Sequence, residues 1–171
     1  MKKCLLVLAM LCGVLFAEDV LLLDVLAICG PKVAVWCEKG FEKNNSFENG
    51  VLRLEVVKND AEKKTEANCQ AMFIPGKRVY EAGKTYRVDF TFKSSKAFQS
   101  KFSVMMNPSP WTRLCQDKTL KLQADQEVSV SLEFKPETEV TEYVRVPNFC
   151  IGNAPAGTVV EISKIQLFEV K

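Results

Sequence analysis

Apolar residues recur at every second position along most of this chain. That period suits a strand with one oily and one wet face, as antiparallel sheets require. In Thr85–Lys93, Tyr86, Val88, Phe90 and Phe92 alternate with Arg87, Asp89, Thr91 and Lys93. In Val128–Phe134, Val128, Val130, Leu132 and Phe134 alternate with Ser129, Ser131 and Glu133. Val51–Val57 and Lys101–Asn107 follow the same rule, and Ala67–Ile74, Lys118–Leu122, Glu142–Val146 and Val159–Val170 read as further strands. Val20–Ile28 reads as the first. No long stretch shows the 3.6-residue apolar period of a helix, and the polar run Lys58–Ala67 reads as a loop. Turn signals separate the strands, among them Asn49-Gly50, Pro75-Gly76, Ala82-Gly83 and Asn107-Pro108. About eight to ten short strands punctuated in this way predict an all-β chain, a single antiparallel β-sandwich or jelly roll. Its alternate Val, Leu and Phe residues pack between two sheets.

The N-terminus carries a different signal. Lys2 and Lys3 precede an apolar run from Cys4 to Phe16, and the small Ala17 is followed at once by Glu18 and Asp19. This order is that of a cleaved secretory signal peptide over 1–17, with the β-sandwich domain over 18–171. The run is too short to span a bilayer, so membrane insertion is not expected. The expected destination is secreted, periplasmic or cell-surface. Cleavage removes two of the 23 basic residues and leaves them level with the 21 acidic ones. A chain so balanced has no electrostatic footprint for nucleic acid.

Histidine is absent. That excludes Ser-His-Asp and Cys-His catalysis and every His-ligated metal site. Five cysteines follow the leader: Cys29, Cys37, Cys69, Cys115 and Cys150. An exported destination permits disulfides, and an odd count leaves at least one thiol over. Cys29 with Cys37 and Cys115 with Cys150 are candidate pairs, and spacing does not decide connectivity. The expectation for each cysteine is a buried apolar side chain or a structural bridge.

The order of segments carries a resemblance. Trp36 closes a first segment, followed by Gly50-Val-Leu-Arg-Leu-Glu-Val and Asn68-Cys-Gln-Ala-Met-Phe. Then come Tyr80-Glu-Ala-Gly-Lys-Thr-Tyr-Arg-Val-Asp-Phe-Thr-Phe-Lys, Phe149-Cys-Ile-Gly and a final strand from Thr158. This series resembles the jelly-roll carbohydrate-binding modules of the xylan- and cellulose-binding type, which have a galactose-binding-like fold. The resemblance covers nearly all of 18–171. It implies a non-catalytic protein that binds a polysaccharide or oligosaccharide through one sheet face, with a glycan and a separate secreted enzyme as partners. It also implies a structural calcium site, built from an acidic opening segment and an Asp-Asp-Val near the end. Here Leu23-Asp24-Val25 matches the opening poorly, and Ser163-Lys164-Ile165 replaces the acidic pair. A hard cation wants several carboxylate or carbonyl oxygens, and Lys164 would repel it. The expectation is therefore no metal and no cofactor, with Asp24 and Glu161 the nearest carboxylates left.

Sugars are held by flat aromatic faces and planar polar groups converging in a concave site. Alternation in the third segment puts Cys69, Ala71 and Phe73 on one face and Asn68, Gln70 and Met72 on the other, so Asn68 and Gln70 should leave the core. Val144 and Val146 are oily, so Tyr143 and Arg145 share an outer face. Trp111 sits between Pro108, Pro110 and Arg113 in a loop. The resembled modules often carry an aromatic there with a basic residue soon after. The candidate ligand-binding residues are Trp111, Gln70, Asn68, Arg113, Tyr143 and Arg145. Trp36, following Val33 and Val35, is assigned to the core, while Phe98 and Tyr80 flank turns and read either as rim or as packing. Asp89 and Glu133 are the carboxylates that outer-face geometry offers for catalysis, but neither lies in an apolar setting, and no catalytic residue is expected. The competing expectation is a structural or protein-interaction β-sandwich, a surface, matrix or inhibitor domain that binds no glycan.

Overall fold

A computed structural model describes residues 18–62 and 64–171. The expected leader, 1–17, lies outside them. Among the described residues eleven strands run in chain order. They are β1 (Val20–Asp24), β2 (Ala34–Cys37), β3 (Phe41–Glu48), β4 (Val51–Asn59), β5 (Cys69–Met72), β6 (Thr85–Ser94), β7 (Phe98–Met106), β8 (Lys118–Leu122), β9 (Glu127–Phe134), β10 (Val144–Cys150) and β11 (Val159–Val170). One short helix, α1 (Val25–Cys29), follows β1.

The expected first strand, Val20–Ile28, is thus half strand and half helix. The cause is Asp24, whose carboxylate accepts the Ala27 N–H at 3.0 Å and caps the helix start. Val25 and Leu26 turn into the core. Asn49-Gly50 makes the two-residue turn of the β3–β4 hairpin. Both residues have positive φ, 52° and 77°, as this turn type demands.

Two antiparallel sheets result. The first runs β3-β4-β11-β6-β9, with β1 also paired to β11. The second runs β2-β5-β10-β7-β8. This is the β-sandwich that alternation predicts. The long strand β11 pairs with β6 along one side. Its other side pairs with β4 and then with β1. A bulge at Ser163 resets its alternation, so that Ile162 and Ile165, three apart, are both buried.

The inward faces meet in a cluster of phenylalanines. Phe90 and Phe92 of β6 reach across the sandwich to Phe102 of β7, at centroid distances of 5.0 and 5.4 Å. Phe92 also meets Phe149 of β10 at 5.2 Å, and Phe102 stacks on Phe149 at 5.0 Å. Such ring pairs add about 0.5–1.5 kcal/mol each beyond the area they bury. A second group, Tyr80, Tyr86 and Phe134, closes one end of the core. Tyr80 and Phe98, open between rim and packing in the sequence, are both buried.

Neither candidate pair, Cys29 with Cys37 or Cys115 with Cys150, is joined in the structure. The sulfur–sulfur contact among the described residues joins Cys37 to Cys69, at 2.8 Å, and all five thiols are free.

Phe102 is fully buried between the sheets. We expect Phe102→Ala to lower the unfolding free energy by about 3–5 kcal/mol, read from chemical denaturation. A loss below about 1 kcal/mol would show that the ring cluster does not hold the sheets together.

Candidate functional site

The outward face of the second sheet carries a cleft of about 570 Å³. Its floor comes from three neighbouring strands: Gln70 and Met72 of β5, Arg145, Asn148 and Cys150 of β10, and Lys101, Ser103 and Met105 of β7. Trp36 stands on the edge strand β2, and Trp111 and Arg113 come from the loop after β7.

A bulge makes this floor. Register between β10 and β7 shifts by one residue between Arg145 and Asn148, across Val146-Pro147. Before the bulge Val144 and Val146 point inward and Arg145 outward. After it Phe149 is in the core while Asn148 and Cys150 face the cleft. The extra residue therefore brings Arg145 and Asn148, three positions apart, onto the same face. Arg145 Nη1 donates to Asn148 Oδ1 at 3.2 Å and to Gln70 Oε1 at 3.3 Å, and its Nε donates to Asn107 Oδ1 at 3.0 Å. Asn148 Nδ2 donates to Gln70 Oε1 at 3.2 Å. Gln70 Nε2 in turn donates to the Ala67 carbonyl at 3.0 Å. Asn107, Arg145, Gln70 and Asn148 thus form one connected network whose members hold one another's orientation. Burial holds the Arg145 guanidinium below its ordinary pKa.

The tryptophans flank this network with their faces open. Trp111 is 52% exposed and Trp36 is 49% exposed. The Trp111 loop is tied down at its base. Asn107 N–H donates to the Tyr143 carbonyl at 2.6 Å, and Met106 N–H to the Thr112 carbonyl at 2.8 Å. At the tip Trp111 N–H donates to the Pro108 carbonyl at 2.9 Å, and Trp111 itself takes a φ of 55°. A bulky residue in that region of φ costs about 1–3 kcal/mol and persists only where its surroundings impose it. The loop holds its indole out in one backbone geometry.

Of the six expected site residues, four line the cleft: Gln70, Trp111, Arg113 and Arg145. Arg113 leans on Asp117, its Nε donating to Oδ1 at 2.7 Å, and that bond raises its pKa. Tyr143 is exposed but lies outside the cleft lining, with Lys77 Nζ 5.6 Å from its ring centroid. Asn68 is buried, at 5% exposure, against the expectation that it leaves the core. The strand begins only at Cys69, and Asn68 ends the tight turn Glu66–Asn68, so the alternation that turns Gln70 outward does not extend to it. There its Oδ1 accepts the Thr65 hydroxyl. Gly152 packs on this turn so closely that a Cβ would stand 2.7 Å from Asn68 N and 2.2 Å from the Thr65 carbonyl.

Trp36 is the second correction, since it was assigned to the core. Its strand register sets it opposite Gln70, which faces the cleft. Read strictly, the alternation that turns Val33 and Val35 inward sends Trp36 outward. Lys101, Ser103 and Asn148 were also missed. Alternation put Lys101 and Ser103 on the wet face without marking them as a site, and a proline within a strand, Pro147, was the available sign of a bulge.

The carboxylates suggested for catalysis lie on the other sheet. Asp89 accepts from Arg87 Nε at 3.1 Å and from Ser131 Oγ at 2.6 Å, and Glu133 stands in register with Arg87. Among the described residues, no carboxylate side chain lines the cleft. The calcium donors that the resemblance would require do not converge either. Asp24 caps α1, Glu161 lies 4.0 Å from Arg53, and Lys164 shares a crevice with Asp24. No group of three His, Cys, Asp or Glu suited to a metal occurs among the described residues. This donor set does not fit a hard cation.

No protein-family model and no curated protein matches this chain. Solved structures do. The carbohydrate-binding module CBM4 aligns with a TM-score of 0.62 over 90% of this chain and 96% of its own, at 15% identity. The fold is that of the jelly-roll carbohydrate-binding modules. The N-terminal cellulose-binding domain of Cellulomonas fimi β-1,4-glucanase C aligns with a TM-score of 0.58, at 15% identity, over 79% of this chain and 86% of that one. The CBM1 module of BiXyn10A also reaches 0.58, at 12% identity, over 90% and 97%.

Because the calcium donors are diverted or replaced, we expect a chelator such as EDTA to leave the thermal midpoint unchanged. A drop that added calcium reverses would reveal a cation site elsewhere.

Proposed function

We propose that this protein is an exported, non-catalytic glycan-binding module whose ligand lies in the cleft on the second sheet. One observation carries the reading: two half-exposed tryptophans flank a pre-ordered network of Gln, Asn and Arg. Indole faces suit the C–H faces of a pyranose ring, and the network offers planar donors and acceptors to its hydroxyls. Because the polar groups already hold one another in place, little side-chain freedom is lost on binding. The cellulose-binding domain of glucanase C has the same fold at low identity, and this supports the reading by analogy of architecture.

Hydrolysis of a glycosidic bond uses a pair of carboxylates across the sugar. Among the described residues the cleft lining supplies none, which supports binding without turnover. Export follows from the order of Lys2, Lys3, the apolar run and Ala17. Among the described residues no helix is long and apolar enough to cross a membrane.

Trp111 separates this reading from that of an interaction domain without glycan binding. A half-exposed loop indole contributes little to the core, whereas a sugar stacked on it gains about 1–3 kcal/mol. We expect Trp111→Ala to weaken binding to a retained polysaccharide roughly five- to hundredfold, measured by affinity electrophoresis, with an unchanged thermal midpoint. Wild-type affinity in both Trp111→Ala and Trp36→Ala would remove the cleft from consideration as the binding face.

A further inference from the structure

The cleft is one-sided in charge. Lys101, Arg113 and Arg145 line it, and no Asp or Glu side chain does among the described residues. Arg113 is balanced by Asp117. Arg145 is not balanced: its three side-chain partners, Asn107, Gln70 and Asn148, are neutral amide oxygens, and among the described residues no carboxylate forms an ion pair with it. A partly buried guanidinium held only by neutral acceptors has lost water without gaining a counter-charge. Burial lowers its pKa, opposed only by the Cys150 thiol and by no carboxylate. A neutral sugar would satisfy hydrogen bonds there but leave the charge uncompensated. A planar carboxylate or a sulfate would satisfy both.

We infer that the cleft takes an anionic glycan, with a uronate carboxylate or sulfate ester seated on Arg145 and the sugar rings against Trp36 and Trp111. The inference rests on the glycan-binding reading and narrows it to a ligand class. Affinity electrophoresis of the full chain in matched gels tests it: polygalacturonate against its methyl-esterified form, and dextran sulfate against dextran. The two pairs distinguish carboxylate from sulfate. Retardation by at least one acidic form, about tenfold or more stronger than by its neutral partner, is the expected result. Arg145→Gln should weaken that retardation about ten- to hundredfold, Arg145→Lys should restore part of it, and Lys121→Gln, outside the cleft, should leave it unchanged. Equal retardation by acidic and neutral forms, or a response to Lys121→Gln as large as to Arg145→Gln, overturns the anionic assignment while leaving glycan binding intact. Retardation by none of these four, with neutral xylan and soluble cellulose also inert, removes the glycan reading itself.

A different observation carries a second inference. Cys37 and Cys69 are directly opposite in the β2–β5 register. The next pair along is joined by one backbone hydrogen bond, from Glu38 N–H to the Asn68 carbonyl at 2.7 Å. Cys37 and Cys69 therefore occupy a non-hydrogen-bonded site, where Cα atoms approach to about 4.5 Å, within the range a disulfide spans. We propose that these two thiols close into a cross-strand disulfide that fixes the edge strand bearing Trp36. The partly buried Cys37 attacks a disulfide of an exchange partner, protein or small molecule, and a mixed disulfide forms as one partner thiol leaves. Cys69 then attacks the Cys37 sulfur and expels the second partner thiol. Two protein thiols are oxidised, one disulfide is reduced to two thiols, and the protons pass to the released thiolates.

Oxidised glutathione is the probe. After treatment and alkylation in denaturant, peptide mapping of the full chain should show Cys37 joined to Cys69. Cys29, Cys115 and Cys150 should be alkylated, and the thermal midpoint should be raised by roughly 5–10 °C. Cys69→Ser should instead hold glutathione on Cys37, and Cys37→Ser should show no link. Free, alkylated Cys37 and Cys69, or any other pairing, overturns the proposal.

Discussion

The two sheets are held face to face by Phe90, Phe92, Phe102 and Phe149, and the cleft depends on that contact although none of the four rings lines it. Phe149 and Phe102 lie on the same strands, β10 and β7, whose outward faces form the cleft floor. Their inward rings set the plane from which Arg145 and Lys101 project, with Asn148 and Ser103 buried in the cleft floor. A strand shows its two faces in strict alternation, so burying one set of side chains fixes the other in space. Binding geometry on one face is therefore a consequence of packing on the other.

Two bulges modify that rule. The one at Ser163 keeps β11 in the core along twelve residues by letting Ile162 and Ile165 both point inward. The one across Val146-Pro147 turns Arg145 and Asn148 to the same side and so assembles the polar network. Without the extra residue Asn148 would follow the parity of Val144 and Val146 into the apolar core, and its buried amide would lose Arg145 and Gln70 as partners. The network in turn reaches Asn107 at the base of the Trp111 loop, so the aromatic platform and the hydrogen-bonding floor share one support.

Much of this was legible in the alternation. The sandwich, its antiparallel strands, the Asn49-Gly50 hairpin and the outward faces of Gln70 and Arg145 all follow from a period of two, because a one-residue slip would expose an oily face. Alternation also holds only inside a strand. It misassigned Asn68, which sits in the turn before β5, and it could not show that Asp24 would cap a helix and end β1 early. Strictly applied, it would have turned Trp36 outward.

What the sequence determined by itself is the fold class and the side to which most strand residues point, since both depend on local periodicity. Only the tertiary structure decided which outward residues meet. Trp36 reaches the cleft because β2 pairs with β5, whereas Tyr143, bridged to Lys77 just before β10, falls outside its lining. Cys37 finds Cys69 rather than Cys29 because strand register selects partners across the chain. Register and bulges are set by the packing of the whole sandwich, and no local pattern of residues encodes them.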